Sequence, residues 1–175
     1  MSTRLQRPSK QHIQLDDNIT TPTMILTASP TVVMQEDTFQ QHADGLITGI
    51  IMWNLNGTAF PDDEWNDFVV VILGWWTSAL LRLLCNNSTA EMLDMMDGPF
   101  SVVCNGSGES VSCQFVERRL HGAVAVASWA GKTRDLAREI LAAGKYALRT
   151  CHEHGWTSSD ITLLEKEVRT LRRMI

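Results

Sequence analysis

FVVVILGWWTSALLRLLC, residues 68–85, is the stretch whose reading decides the fold. Apolar residues cover every side of it, so it is buried whether it forms a helix or a strand. Val69, Val70, Val71 and Ile72 are β-branched and suit a strand, whereas the second half, ending Ala79-Leu80-Leu81-Arg82-Leu83-Leu84, prefers a helix. Just upstream, Asn66 or Asp67 can cap a helix N-terminus, and Asp62, Asp63 and Glu64 suit the positive end of its dipole. We read the segment as a central core helix. From Phe68 the apolar run reaches only Leu81 before Arg82 interrupts it. A membrane-spanning helix needs about twenty residues, so no membrane association is expected.

Strand signals surround this helix. Thr23–Ala28 and Thr31–Gln35 are rich in β-branched residues and broken by Pro30, which predicts one or two short edge strands. Leu46–Leu55 is a clearer strand, and Asn56-Gly57 after it is the dipeptide that best tolerates a type I′ hairpin turn. The return strand Thr58–Phe60 is short because Pro61 has no N–H for a ladder. After the helix, Met92–Met96 continues through Asp97-Gly98-Pro99 into Phe100–Cys104, followed by Ser110–Val116 and Ala123–Ser128: an antiparallel meander. If the loop beginning at Asn105 is symmetric about the Gly108–Glu109 bond, Cys104 and Cys113 fall opposite each other, so a cross-strand disulfide is geometrically conceivable, although reduced thiols are the expectation.

The C-terminal third is helical. Leu136, Ile140, Leu141, Leu148 and Cys151 share one face of a helix from about Thr133 to His154, closed by Gly155. Ser158 or Ser159 caps a second helix, whose apolar face carries Ile161, Leu164, Val168 and Leu171. The expected architecture is α+β: an antiparallel sheet packed against a central hydrophobic helix and two C-terminal helices. Residues 1–22 read as a polar tail and residues 23–175 as a single domain.

The whole-chain charge of −5 conceals an uneven distribution. Residues 11–115 hold thirteen acids and a single base, Arg82, while residues 116–175 hold eleven bases and seven acids. Residues 1–10 carry Arg4, Arg7 and Lys10 with no acid. Such an acidic middle repels phosphates, and the C-terminal bases alternate with acids, so direct nucleic-acid binding is not expected. The N-terminal residues lack an apolar signal core, which makes a cytoplasmic location the expectation. Reduced, mostly buried thiols are then expected for Cys85, Cys104, Cys113 and Cys151. The sequon asparagines Asn18, Asn56, Asn86, Asn87 and Asn105 read as turn and cap residues.

Chemistry-bearing motifs are incomplete. Gly131-Lys132-Thr133 lies between a predicted strand and a predicted helix, as in a phosphate-binding loop, but the leading glycine is replaced by Val126. His152 and His154, two apart on a helix, point about 200° away from each other and do not share a metal. Neither a cofactor nor a metal is expected, and no catalytic residue is assigned. The positive signal is the carboxylates: Asp62, Asp63, Glu64 and Asp67 before the core helix, and Asp94 and Asp97 around the following strand. These six form the expected docking face for a basic partner. Trp65, Trp75 and Trp76 read mainly as core.

Asn56-Gly57, Phe60-Pro61, Trp65–Trp76 and Met96-Asp97-Gly98-Pro99-Phe100 together resemble small stand-alone bacterial proteins. Over residues 45–175 the chain is broadly similar in size, acidity and α/β layout to immunity proteins that neutralise polymorphic or contact-dependent growth-inhibition toxins. That resemblance implies a noncatalytic cytoplasmic inhibitor binding a cognate, basic toxin domain. Two other readings stand beside it: a small enzyme with a site assembled from dispersed Asp, Glu and His, and an oligomer built through exposed tryptophans.

Overall fold

The computed structural model describes residues 19–107 and 109–175; the expected tail at 1–22 therefore lies largely outside the described residues. Its last residues are already tied down. Ile19 bridges Ala123, the Thr20 N–H donates to the Ala123 carbonyl at 3.1 Å, and the Thr23 hydroxyl donates to Val126 O at 2.7 Å.

Nine strands and three helices are formed by the described residues. Strands β1 (Met24–Ile25), β6 (Ala90–Asp94), β7 (Phe100–Ser107), β8 (Ser110–Arg119) and β9 (Gly122–Lys132) make one sheet in the order β1-β9-β8-β7-β6. It is antiparallel except for β1, which runs parallel to β9. A second, antiparallel sheet holds β2 (Thr31–Gln41), β3 (Ile47–Leu55) and β4 (Thr58–Phe60), with the two-residue β5 (Asn66–Asp67) also on β3. The helices are α1 (Val69–Leu84), α2 (Thr133–Glu153) and α3 (Ser159–Met174). The α+β class expected from the sequence is thus the observed one, with two sheets where one was expected.

The β-branched run at the start of α1 is helical. β-Branched residues cost only a few tenths of a kcal/mol each in a helix, and a turn nucleated by the favourable second half propagates cooperatively. Val69 to Gly74 are all buried, because α1 contacts α2, α3, β3 and β6. Its one charged residue, Arg82, leaves the helix end to make a bidentate pair with Glu91 of β6, both bonds 2.6 Å. The expected side-chain cap is not made: Phe68 occupies the N-cap position, and Asp67 turns elsewhere.

Aromatic rings join the layers. Trp53 of β3 stacks on Trp76 of α1 at 5.2 Å and meets Phe115 of β8 edge-on at 5.8 Å. Phe60 of β4 meets both Phe115 and Phe100 edge-on. Both sheets and α1 thereby share one core. The Trp76 indole N–H donates to Asp94 O at 2.8 Å, fixing α1 against the end of β6.

Local signals behave largely as read. Asn56 and Gly57 take φ of 53° and 93° and close the β3–β4 hairpin. Gly155 ends α2 at φ 68°: its N–H donates to His152 O and the next N–H, of Trp156, to Cys151 O, the paired bonds of a Schellman motif. Ser158 caps α3 by accepting the Ile161 N–H at 3.2 Å. β2 is twice the expected length, running through a bulge between Gln35 and Gln40 where Thr38 accepts the Ile50 N–H at 2.9 Å. Asn105 is a strand residue rather than a turn residue, since β7 and β8 stay paired to Ser107 and Ser110. No helix among the described residues is long and apolar enough to cross a membrane.

Candidate functional site

Two turns carry the exposed carboxylates. The first leaves β4 through a cis Phe60–Pro61 bond and runs to β5. Within it Asp62 Oδ1 accepts the Glu64 N–H at 3.0 Å, a local turn that leaves Asp62, Asp63 and Glu64 exposed. Its far end is anchored on β3, where the Ile51 N–H donates to Trp65 O at 3.0 Å and Gly49 pairs with Asp67. The second turn, joining β6 to β7, carries exposed Asp97.

Trp65 and Asp67 hold these turns together. The half-buried Trp65 ring lies against Gly98, where a Cβ would stand 2.6 Å from the indole, and meets Phe100 edge-on at 5.2 Å. Asp67 is fully buried. One carboxylate oxygen accepts the Phe68 N–H at 2.7 Å, and the other accepts the Trp65 indole N–H at 3.1 Å and the Met96 N–H at 2.9 Å. Burial raises its pKa above the ordinary aspartate value; the three donors oppose that shift, and nearby Asp97 adds to it.

The six carboxylates expected at one face therefore separate into three kinds. Asp62, Asp63, Glu64 and Asp97 are exposed and stand on neighbouring, mutually bonded turns. Asp67 is a correction: both its oxygens are used inside the fold, so it cannot meet a partner. Asp94 is half-buried and lies 3.4 Å from Arg118, whose own N–H donates to Pro99 O at 2.7 Å. That places a positive charge at the border of the second turn. Trp65, Gly98 and Arg118 are the site residues missed in the sequence. The strand expected to run from Met92 through Asp97-Gly98-Pro99 into Phe100 is a correction: the chain turns there between antiparallel β6 and β7. The Arg118 contact depends on β7–β8 register.

The remaining candidates disperse. Gly131-Lys132-Thr133 contains no loop at all: β9 runs through Lys132 and α2 begins at Thr133, whose N–H donates to Glu109 O at 2.8 Å. A cavity of about 380 Å³ lies beside that junction, lined by Leu84, Asn86, Glu109, Thr133, Arg134 and Met174. None of the six carboxylates lines it. His152 bonds Glu165 of α3 at 2.8 Å, while His154 stacks on Trp156 at 4.5 Å, so the two rings diverge as their spacing predicts. Among the described residues, no group of three or more His, Cys, Asp or Glu is placed to hold a metal ion.

Three of the four thiols are buried, as expected for most, and Cys85 is exposed. Burial pushes the Cys151 thiol up to about 11, which keeps it protonated near neutrality. The only exposed large hydrophobic residues among those described are Ile25 and Leu120. Trp65, Trp75 and Trp156 are partly buried, whereas Trp53, Trp76 and Trp129 are buried.

The fold and this pair of turns define a protein of two sheets and three helices that presents carboxylates on a braced surface. No protein-family model, curated protein or solved structure matches the chain.

Proposed function

We propose that this protein is a noncatalytic binding protein of the immunity type, which neutralises a cognate basic toxin domain through the face formed by Asp62, Asp63, Glu64 and Asp97. The observation that carries this reading is the buried Asp67 carboxylate. By bonding Trp65 beside the first turn and Met96 beside the second, it fixes four exposed carboxylates on adjoining turns. A face ordered before association loses less conformational entropy on binding. Concentrated charge of one sign accelerates encounter with an oppositely charged partner and excludes others.

The test is capture from the native host with tagged wild type and with the variant Asp62→Asn/Asp63→Asn/Glu64→Gln/Asp97→Asn. Asparagine at 62 keeps an acceptor for the Glu64 N–H. Wild type is expected to retain a basic protein that is released by rising salt and whose expression alone arrests growth. For the variant, the association rate at low salt falls about tenfold or more and its salt dependence flattens. Equal rates and equal salt slopes for the two forms refute this choice of face, and an acidic partner refutes the charge argument.

A further inference from the structure

Cys104 and Cys113 are free thiols in this structure and were expected to stay reduced; we infer instead that, given an oxidant, they form a cross-strand disulfide in the larger sheet, closed while the β7–β8 hairpin folds. The two residues are direct Cα partners, their sulfurs lie 3.3 Å apart, and both are fully buried. The kind of pair follows from a neighbour. The Gly106 N–H donates to Thr89 O at 2.8 Å, on the β6 side of β7. A strand residue directs its N–H and C=O to the same side, and residues two apart share that side. The β7–β8 register is unbroken from Phe100 to Ser107, so Cys104 also directs its backbone toward β6.

Cys104–Cys113 is therefore a non-hydrogen-bonded pair, the kind whose Cα atoms approach to about 4.5 Å with the side chains turned together. Disulfides span Cα separations of roughly 4.4–6.8 Å. Closing the sulfurs to a bond of about 2.05 Å then requires side-chain rotation, without backbone movement.

The reaction requires an oxidant, and a small-molecule disulfide such as oxidised glutathione supplies it. One cysteine thiolate attacks that disulfide and expels a thiolate, leaving a mixed disulfide. The second cysteine thiolate attacks the protein-bound sulfur and expels the other small thiolate. The two protons lost by the cysteines end on the two released thiols, and the small disulfide gains two electrons. In the finished fold neither sulfur is accessible, and the Cys113 contact together with burial holds the Cys104 thiol well above its ordinary pKa. Oxidation thus belongs to the chain before the core closes around the two sulfurs; afterwards the same burial shields the bond from reductants. Cys85, exposed at the end of α1, and Cys151, buried in α2, have no such opposed partner.

The experiment is unfolding and refolding of the full-length chain in a reduced/oxidised glutathione mixture, compared with refolding in dithiothreitol. The oxidised product is expected to lose two of its four thiols and two hydrogens in mass. Cleavage after Glu109 by a glutamate-specific protease should leave the β7 and β8 fragments joined until reductant is added under denaturing conditions. Closing so short a ring raises Tm by on the order of 5–10 °C. Cys113→Ala should show no Tm difference between the two refolding mixtures. If that variant does not fold, the fragment map of the wild type decides alone. Four free thiols after oxidative refolding overturn the inference, as does a bond to Cys85 or Cys151 instead, or an oxidised form with a Tm no higher than the reduced one.

Discussion

Replacing Asp67 with alanine takes the acceptor from three N–H donors at once: Phe68, Met96 and the Trp65 indole. Each buried donor left unsatisfied costs about 1–3 kcal/mol. Part of that loss is offset because the variant no longer buries a carboxylate, whose raised pKa records an unfavourable environment for charge. A net loss of about 3–5 kcal/mol is expected, against a total stability of about 5–15 kcal/mol for a domain. In a chain of this length that lowers Tm by roughly 6–20 °C. Asp67→Asn should cost less, about 1–3 kcal/mol, because its amide oxygen still serves one side of the donor set while its NH₂ faces the other. The pH dependence has a definite sign. The folded chain holds this proton more tightly than the unfolded chain, so the contribution of Asp67 is fully present below the usual aspartate pKa of about 3.8 and is lost as pH rises through the raised folded value. The stability of wild type relative to Asp67→Asn should therefore increase on acidification from about pH 7 to about pH 4. Urea unfolding followed by tryptophan fluorescence measures all of this. A cost below about 1 kcal/mol for Asp67→Ala, or a wild-type advantage that shrinks on acidification, would show that this carboxylate does not brace the two turns.

Two further substitutions probe the supports of the same region. Glu91→Ala leaves Arg82, about a third exposed, without its bidentate partner; a loss of about 1–3 kcal/mol in urea unfolding is expected, short of the full cost for a buried pair because water reaches the guanidinium. Gly98→Ala places a methyl group against the Trp65 indole and should cost about 1–3 kcal/mol, with a red shift of tryptophan emission as the ring is displaced toward water. An unchanged melting curve for Gly98→Ala would mean that Trp65 can yield at no cost.

Much of the fold was legible because the signals that set it are local. Asn56-Gly57, Gly155 and Ser158 act within a few residues of themselves, and the structure uses each as read. The symmetric hairpin that opposes Cys104 and Cys113 follows from counting outward from one turn. What depends on distant neighbours was not readable. Whether Val69–Ile72 forms a helix or a strand is settled by the elements that cover it, and the division of the strands into two sheets depends on pairings between segments far apart in the chain, such as β1 with β9. The site obeys the same rule. Asp62, Asp63, Glu64 and Asp67 look alike in sequence, yet one of the four is turned inward by donors from Trp65, Phe68 and Met96, the last of them 29 residues away. A carboxylate is assigned to partner or to core by the donors that converge on it, and those come from separate elements.

This division has a consequence for reading binding data. Asp67→Ala should weaken capture of a basic partner although its side chain meets no solvent, because the turns that display Asp62, Asp63, Glu64 and Asp97 lose their mutual brace. Loss of preorganisation leaves long-range attraction intact, so it should appear mainly as faster dissociation with the salt dependence of association preserved. Neutralising the exposed four should do the reverse, slowing association and flattening its salt dependence at nearly constant Tm, since surface substitutions away from special features cost little. A deficit for Asp67→Ala that lay in the association rate and its salt slope would instead place that carboxylate's charge itself in contact with the partner's field.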